Sequence, residues 1–195
     1  MGCSYDIFTG KLNQKEYISD FVRLWNSVLE DDLYDDWALM TEEAFEKDDD
    51  GYRFGIDSEP LFCTMENGDQ VERFLIEFFK LHPDAEFVGD YECTFNNCGD
   101  MCLKNFTYSD GAIRVKALYS EEPYVEECPE CGRTGEDGDD LFSMHDWEED
   151  KPFVCPECGC EIEMDVGVDE YDIDVKTGKY SFEDEDNMDD EESED

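Results

Sequence analysis

Residues 105–119 read NFTYSDGAIRVKALY, and their pattern decides how this chain folds. Ile113, Val115, Ala117 and Tyr119 alternate with Arg114 and Lys116, the period-two rhythm of a strand with one covered face. Asp110-Gly111 stands before them and suits the positive φ angles of a tight hairpin turn. The stretch therefore reads as an antiparallel hairpin. In EFVGDYECTF (86–95), Phe87, Tyr91, Cys93 and Phe95 share one strand face while Asp90 and Glu92 point away. EIEMDVGV (161–168) alternates Ile162, Met164 and Val166 against Glu161, Glu163 and Asp165. YDIDVKTGKYSF (171–182) reads as a second hairpin, turning near Thr177-Gly178.

Helical spacing dominates the earlier chain. YISDFVRLWNSVLEDD (17–32) spaces Ile18, Phe21, Val22, Trp25, Val28 and Leu29 along one helix face. LYDDWALMTEEAFEKDDD (33–50) continues with Leu33, Trp37, Met40 and Ala44. In GDQVERFLIEFFKLHP (68–83), Val71, Phe74, Leu75 and Phe78 form the stripe, and Pro83 marks the end. Asp69 and Glu72 have the spacing of a capping box. Helices first and strands later give an α+β fold with N-terminal amphipathic helices and a largely antiparallel sheet. The expected organisation is an α+β domain over 1–123, an insertion over 124–162, and strands completing the sheet over 163–182. Ten of the thirteen residues in 183–195 are acidic, which predicts a disordered tail.

The charge is extreme: 57 Asp and Glu against 14 Lys and Arg, a formal net charge of −43 at pH 7. Such a surface repels nucleic acid and anionic membranes and is drawn to basic clefts. No apolar run reaches the ~20 residues that span a bilayer, and no signal-peptide core is present. MGCSYD at the start departs from a myristoylation site, since Asp6 stands where Ser or Thr is wanted. With paired cysteines and no secretory signal, a reducing cytoplasm is the expected compartment, that of a bacterial host if the chain is phage-encoded.

CPECG occurs twice. Cys128, Cys131, Cys155 and Cys158 give C-x2-C-x23-C-x2-C, in which each pair aims two thiolates at one ion from a tight knuckle. Gly132 and Gly159 follow the pairs and suit a left-handed backbone. Four thiolates close the tetrahedron around a structural Zn2+ and leave no position for a catalytic water. A redox pair would occur once, and a zinc deaminase would want Pro before its C-x-x-C where Val154 stands. Cys160 and His145 are each able to replace one ligand. Cys93, Cys98 and Cys102, with His82, either hold a second metal or are buried thiols, the favoured reading. EKDDDGYRFGID (46–57) partly imitates a calcium loop but has Arg53 at an apolar position. No catalytic motif emerges, so no enzyme is expected.

The clasp resembles the zinc-ribbon family over residues 124–162, and that resemblance implies a structural metal. A small, very acidic α+β chain with such a clasp is also similar to the zinc-binding anti-CRISPR proteins, phage-encoded inhibitors of Cas9. That second resemblance implies binding to the basic surface of the guide-loaded nuclease and blockage of target DNA loading. The ordered carboxylates then imitate nucleic-acid phosphates, with Asp137, Asp139, Asp140, Asp146, Glu148, Glu149 and Asp150 as partner-binding residues. Trp147 is their apolar anchor, although Leu141, Phe142, Met144 and Trp147 fit a small core under the ribbon equally well. The alternative is a cytosolic zinc-ribbon adaptor whose acidity serves solubility. Direct nucleic-acid binding is disfavoured, because only Arg133 and Lys151 lie near the knuckles.

Overall fold

The computed structural model describes residues 5–30, 39–58, 67–94, 101–136, 139–149 and 151–182. It is a mixed fold with a mostly antiparallel sheet and two helices. Among the described residues the expected pair of N-terminal helices is not found. A strand comes first, β1 (Tyr5–Leu12), and one helix, α1 (Ile18–Glu30), follows it. Of the second expected helix, 31–38 lie outside the described residues, and 42–48 form a 3-10 turn and strand β2 (Phe45–Asp48). The segment resembling a calcium loop is instead a hairpin of β2 and β3 (Gly51–Ser58), with the Asp48 carboxylate against Arg53 at 2.5 Å.

Helix α2 (Asn67–Leu81) leads into β4 (Phe87–Thr94), β5 (Met101–Ser109) and β6 (Ala112–Ser120). Asp110 and Gly111, at φ 54° and 84°, form the turn between β5 and β6, and Ser109 pairs with Ala112. After β6 the chain builds a lobe of short strands, β7 (Tyr124–Val125), β8 (Phe142–Ser143), β9 (Phe153–Val154) and β10 (Glu161–Ile162). It then returns as β11 (Gly167–Asp174) beside β6 and finishes with β12 (Lys179–Phe182). The large sheet has the order β12-β11-β6-β5-β4-β1-β3-β2, with antiparallel partners throughout. Residues 161–168, read as one strand, split between β10 and the start of β11. The tail at 183–195 lies outside the described residues.

One sheet face carries both helices. Phe21 and Trp25 of α1 and Phe74, Phe78 and Phe79 of α2 are buried against Phe8, Phe54, Phe87 and Phe106 of the strands. Phe8 stacks on Trp25 at 5.1 Å, and Phe21 meets Phe74 edge-on at 4.7 Å. The rings lie over a glycine floor: Gly10 of β1 faces Gly89 of β4, and a Cβ on Gly10 would stand 2.8 Å from Phe54 and Phe87. Any larger residue there displaces the aromatic layer.

Lys104 lies in the buried phase of β5, between Cys102 and Phe106. Its ammonium donates to Glu72 Oε1 at 2.6 Å, inside the core. Tyr171 donates to the same oxygen at 2.6 Å, and Tyr180 to Oε2 at 2.9 Å. Glu72 therefore points into the protein, where the capping box would have turned it back toward Asp69. Helix α2 begins at Asn67, which puts Asp69 inside the helix. Burial, reinforced by the bond to Glu72, raises the Tyr171 phenol far above its ordinary range.

Removing one partner of a buried ion pair leaves the other charge uncompensated. Lys104→Met is expected to lose about 3–5 kcal/mol in urea unfolding. Lys116→Met, which breaks exposed pairs with Glu149 and Glu170, is expected to lose about 1 kcal/mol or less.

Candidate metal centre

The two CPECG segments fold into knuckles of the same design. In the first, the Gly132 N–H donates to the Cys128 carbonyl at 2.9 Å and the Cys128 N–H to the Arg133 carbonyl at 2.7 Å. In the second, Gly159 donates to Cys155 at 2.9 Å and Cys155 to Cys160 at 2.9 Å. Gly132 and Gly159 have φ of 71° and 74°, the left-handed geometry that glycine adopts without strain. Cys160 thus occupies in the second knuckle the place that Arg133 occupies in the first.

A small core seats the pair. Cys128 and Cys155 are buried with Phe153 and Ile162, and Phe142 stacks on Phe153 at 4.7 Å. The β9–β10 ladder, Phe153 opposite Ile162, flanks the second knuckle on both sides. The lobe also rests on the sheet face away from the helices. There Met144 is fully buried with Met101 and Leu118, and Trp147, Met164 and Val168 pack around them. Ser120 donates to the Asp165 carbonyl at 2.9 Å, and Lys116 to Glu149 at 3.1 Å.

Four sulfurs, those of Cys128, Cys155, Cys158 and Cys160, lie within 4.8 Å of one another. Cys128 Sγ is 3.6 Å from Cys158 Sγ and 3.2 Å from Cys160 Sγ. Cys131, expected as a ligand from its spacing, stands beside this group with its Sγ 3.7 Å from that of Cys155. Thiolates about 2.3 Å from a tetrahedral zinc are separated by ~3.8 Å, so these spacings fit such an ion. The cysteines are close enough together to hold a metal ion such as zinc.

Backbone N–H groups favour the thiolate form of the first cysteine in each knuckle. Burial opposes ionisation of Cys128, but N–H groups of Cys131 and Glu130 and the Cys160 thiol outweigh it and bring the pKa down to about 6. The Cys158 N–H likewise lowers Cys155, against its burial. Hydrogen bonding to Cys128, then burial and contact with Cys158, pushes Cys160 up to about 12. The Arg133 N–H favours the Cys131 thiolate, yet desolvation at sulfur and bonds to its neighbouring thiols push it up to about 12.

The other sequence candidates fall elsewhere. His145 Nε2 faces Glu92 Oε1 at 3.5 Å, apart from the four clustered sulfurs. Cys93 pairs across strands with Cys102, both are buried, and desolvation pushes Cys102 up to about 11. His82 sits at the opposite end of β4, roughly 20 Å along the strand, where it meets Asp20 at 3.1 Å. It therefore joins neither cysteine, and Cys98 lies outside the described residues.

Among the expected partner-binding residues, Asp139, Asp140, Asp146, Glu148 and Glu149 are exposed, while Asp137 and Asp150 lie outside the described residues. Asp146 caps Ser143, Glu148 pairs with Lys151, and Glu149 pairs with Lys116. Trp147 is half-buried between the two small lobe cores, an internal place for a residue read as an anchor. No protein-family model matches the chain, and neither the curated proteins nor the solved structures give a match.

The reduced chain is expected to bind one zinc ion, measured by a chromophoric chelator. Protons compete for the thiolates, so affinity falls as pH is lowered. Cys155→Ser is expected to weaken binding by about a hundredfold or more.

Proposed function

We propose that this chain is a non-catalytic acidic binding protein, fastened by structural zinc, that occupies the basic surface of a nucleic-acid-handling protein. The observation that carries the reading is the sidedness of the lobe. Phe142, Met144, Trp147, Phe153 and Ile162 turn inward, while Glu136, Asp139, Asp140, Asp146, Glu148 and Glu149 are exposed. Arg133 and Lys151 are the bases near the knuckles, and Lys151 is already paired.

The sheet supports a narrower binding region. On its open face Arg114 lies 3.9 Å from Asp172, and Lys116 pairs with Glu170 at 2.8 Å. Those carboxylates are partly neutralised within the chain. The lobe retains exposed acids with few bases, so it is the part that competes with nucleic-acid phosphates for a basic channel. Zinc, by joining the two knuckles, keeps those acids on an ordered frame.

The anti-CRISPR resemblance makes guide-loaded Cas9 the partner to test first, since it holds nucleic acid in positively charged channels. Binding is expected to exclude target DNA and to weaken steeply between low and moderate salt. Asp139→Lys with Asp140→Lys is expected to reduce binding at low salt without changing the folded spectrum. Zinc-loaded protein that ignores Cas9 at low salt overturns that partner. Salt-insensitive capture of another partner favours the adaptor reading.

The zinc role has its own test. Chelation is expected to speed hydrogen exchange in peptides from 124–162 while those from 105–119 stay protected. Equal loss of protection in both regions would contradict a local clasp.

A further inference from the structure

The second knuckle brings three thiols where the first brings two. Cys160 takes the place of Arg133, and its sulfur lies 3.2 Å from that of Cys128, across the centre. Cys131 approaches from the other knuckle, 3.7 Å from Cys155. Five sulfurs thus converge where a tetrahedral ion takes four. Cys128, Cys155 and Cys158 belong both to the set expected from spacing and to the mutually close set. Cys131 and Cys160 are what distinguishes the two sets.

We infer that the metal takes its fourth ligand from either Cys131 or Cys160, so that the centre has two interchangeable ligand sets. This rests on the reading of the cluster as a zinc site. Binding all five sulfurs as thiolates would place five negative charges on one divalent ion in a chain already at −43. One thiol therefore keeps its proton and donates its S–H to a bound thiolate. Exchange needs no oxidant: the incoming sulfur forms a bond to the metal as the outgoing one releases it. The proton moves from the incoming thiol to the departing thiolate. Four-coordination is restored on either side, which distinguishes this centre from a closed four-cysteine clasp.

Cobalt(II) titration of the full, reduced chain tests the inference, because its visible absorption distinguishes four thiolate ligands from three. Wild type, Cys131→Ser and Cys160→Ser are each expected to show the four-thiolate spectrum at one ion per chain. The double variant Cys131→Ser/Cys160→Ser is expected to show three-thiolate absorption and affinity weaker by about a hundredfold. If one single variant shows three-thiolate absorption while the other matches wild type, the centre has a fixed ligand set and the inference fails. Wild type that binds no cobalt overturns the metal reading itself, a separate result.

Alkylation of zinc-loaded wild type covers the case in which the variants misfold. Peptide mapping is expected to find partial label at both Cys131 and Cys160, with Cys128, Cys155 and Cys158 protected. Label at only one of the two overturns alternate ligation.

Discussion

The contact between Glu72 and Lys104 joins more of this molecule than any other single polar interaction described above. It ties α2 to β5, and through Tyr171 and Tyr180 it reaches β11 and β12. In a chain with 57 acids, burying a carboxylate is costly unless a base accompanies it. Here the base comes from the middle of the sheet, and two phenols donate one further bond to each carboxylate oxygen. The position of α2 is thereby specified, because sliding the helix by one residue would leave both charges unpaired. The aromatic layer over Gly10 and Gly89 depends on the same placement, since Phe74, Phe78 and Phe79 are carried by α2.

Surface charge then divides between the two faces of the sheet. Lys11, Arg53, Arg114 and Lys116 all project to the face away from the helices, and each meets a carboxylate there. The strands thus neutralise part of their own repulsion. The lobe has little such relief, and its apolar clusters are small. Four buried residues around the knuckles and three at the junction with the sheet make up those cores. Burial of a Phe or Ile contributes only about 1.5–3 kcal/mol each, a modest return against the acids crowded around them. A metal ion held between the knuckles would supply cohesion that apolar area this small does not.

The hairpin at 105–119 and the stripe of α2 were legible because each depends on local chemistry. Asp110-Gly111 sets a turn, and a 3.6-residue period survives whatever the helix packs against. Strand β1 was hidden for a physical reason: its inward phase runs Phe8, Gly10, Leu12, and the central glycine erases the apolar alternation. That gap is filled by rings from β3 and β4, which sequence cannot bring into view. Strand β3 was obscured by the acids before it, which imitate a metal loop. Lys104 was also legible in principle, since it shares the phase of Phe106 and Tyr108, a position where a lone base requires a buried acid. Nothing in α2 alone singles out Glu72 as that acid, because Glu77 on the same helix is exposed and pairs with Lys80.

The centre was legible in kind and less so in membership. Two C-x-x-C pairs announce a cluster, but the spacing rule counts only two ligands from each knuckle. It does not see that the residue after each knuckle glycine is held in place by the first cysteine's own N–H. In the first knuckle that position is Arg133, and in the second it is Cys160. The same backbone bond that closes the turn therefore fixes a fifth sulfur beside the other four. A lobe assembled in this way has its tightest turns in the knuckles. Between the knuckles the described chain has seats of its own, with Phe142 and Trp147 in the knuckle core and Met144 buried against the sheet, so the exposed acids there lie on a frame held at more than its two ends.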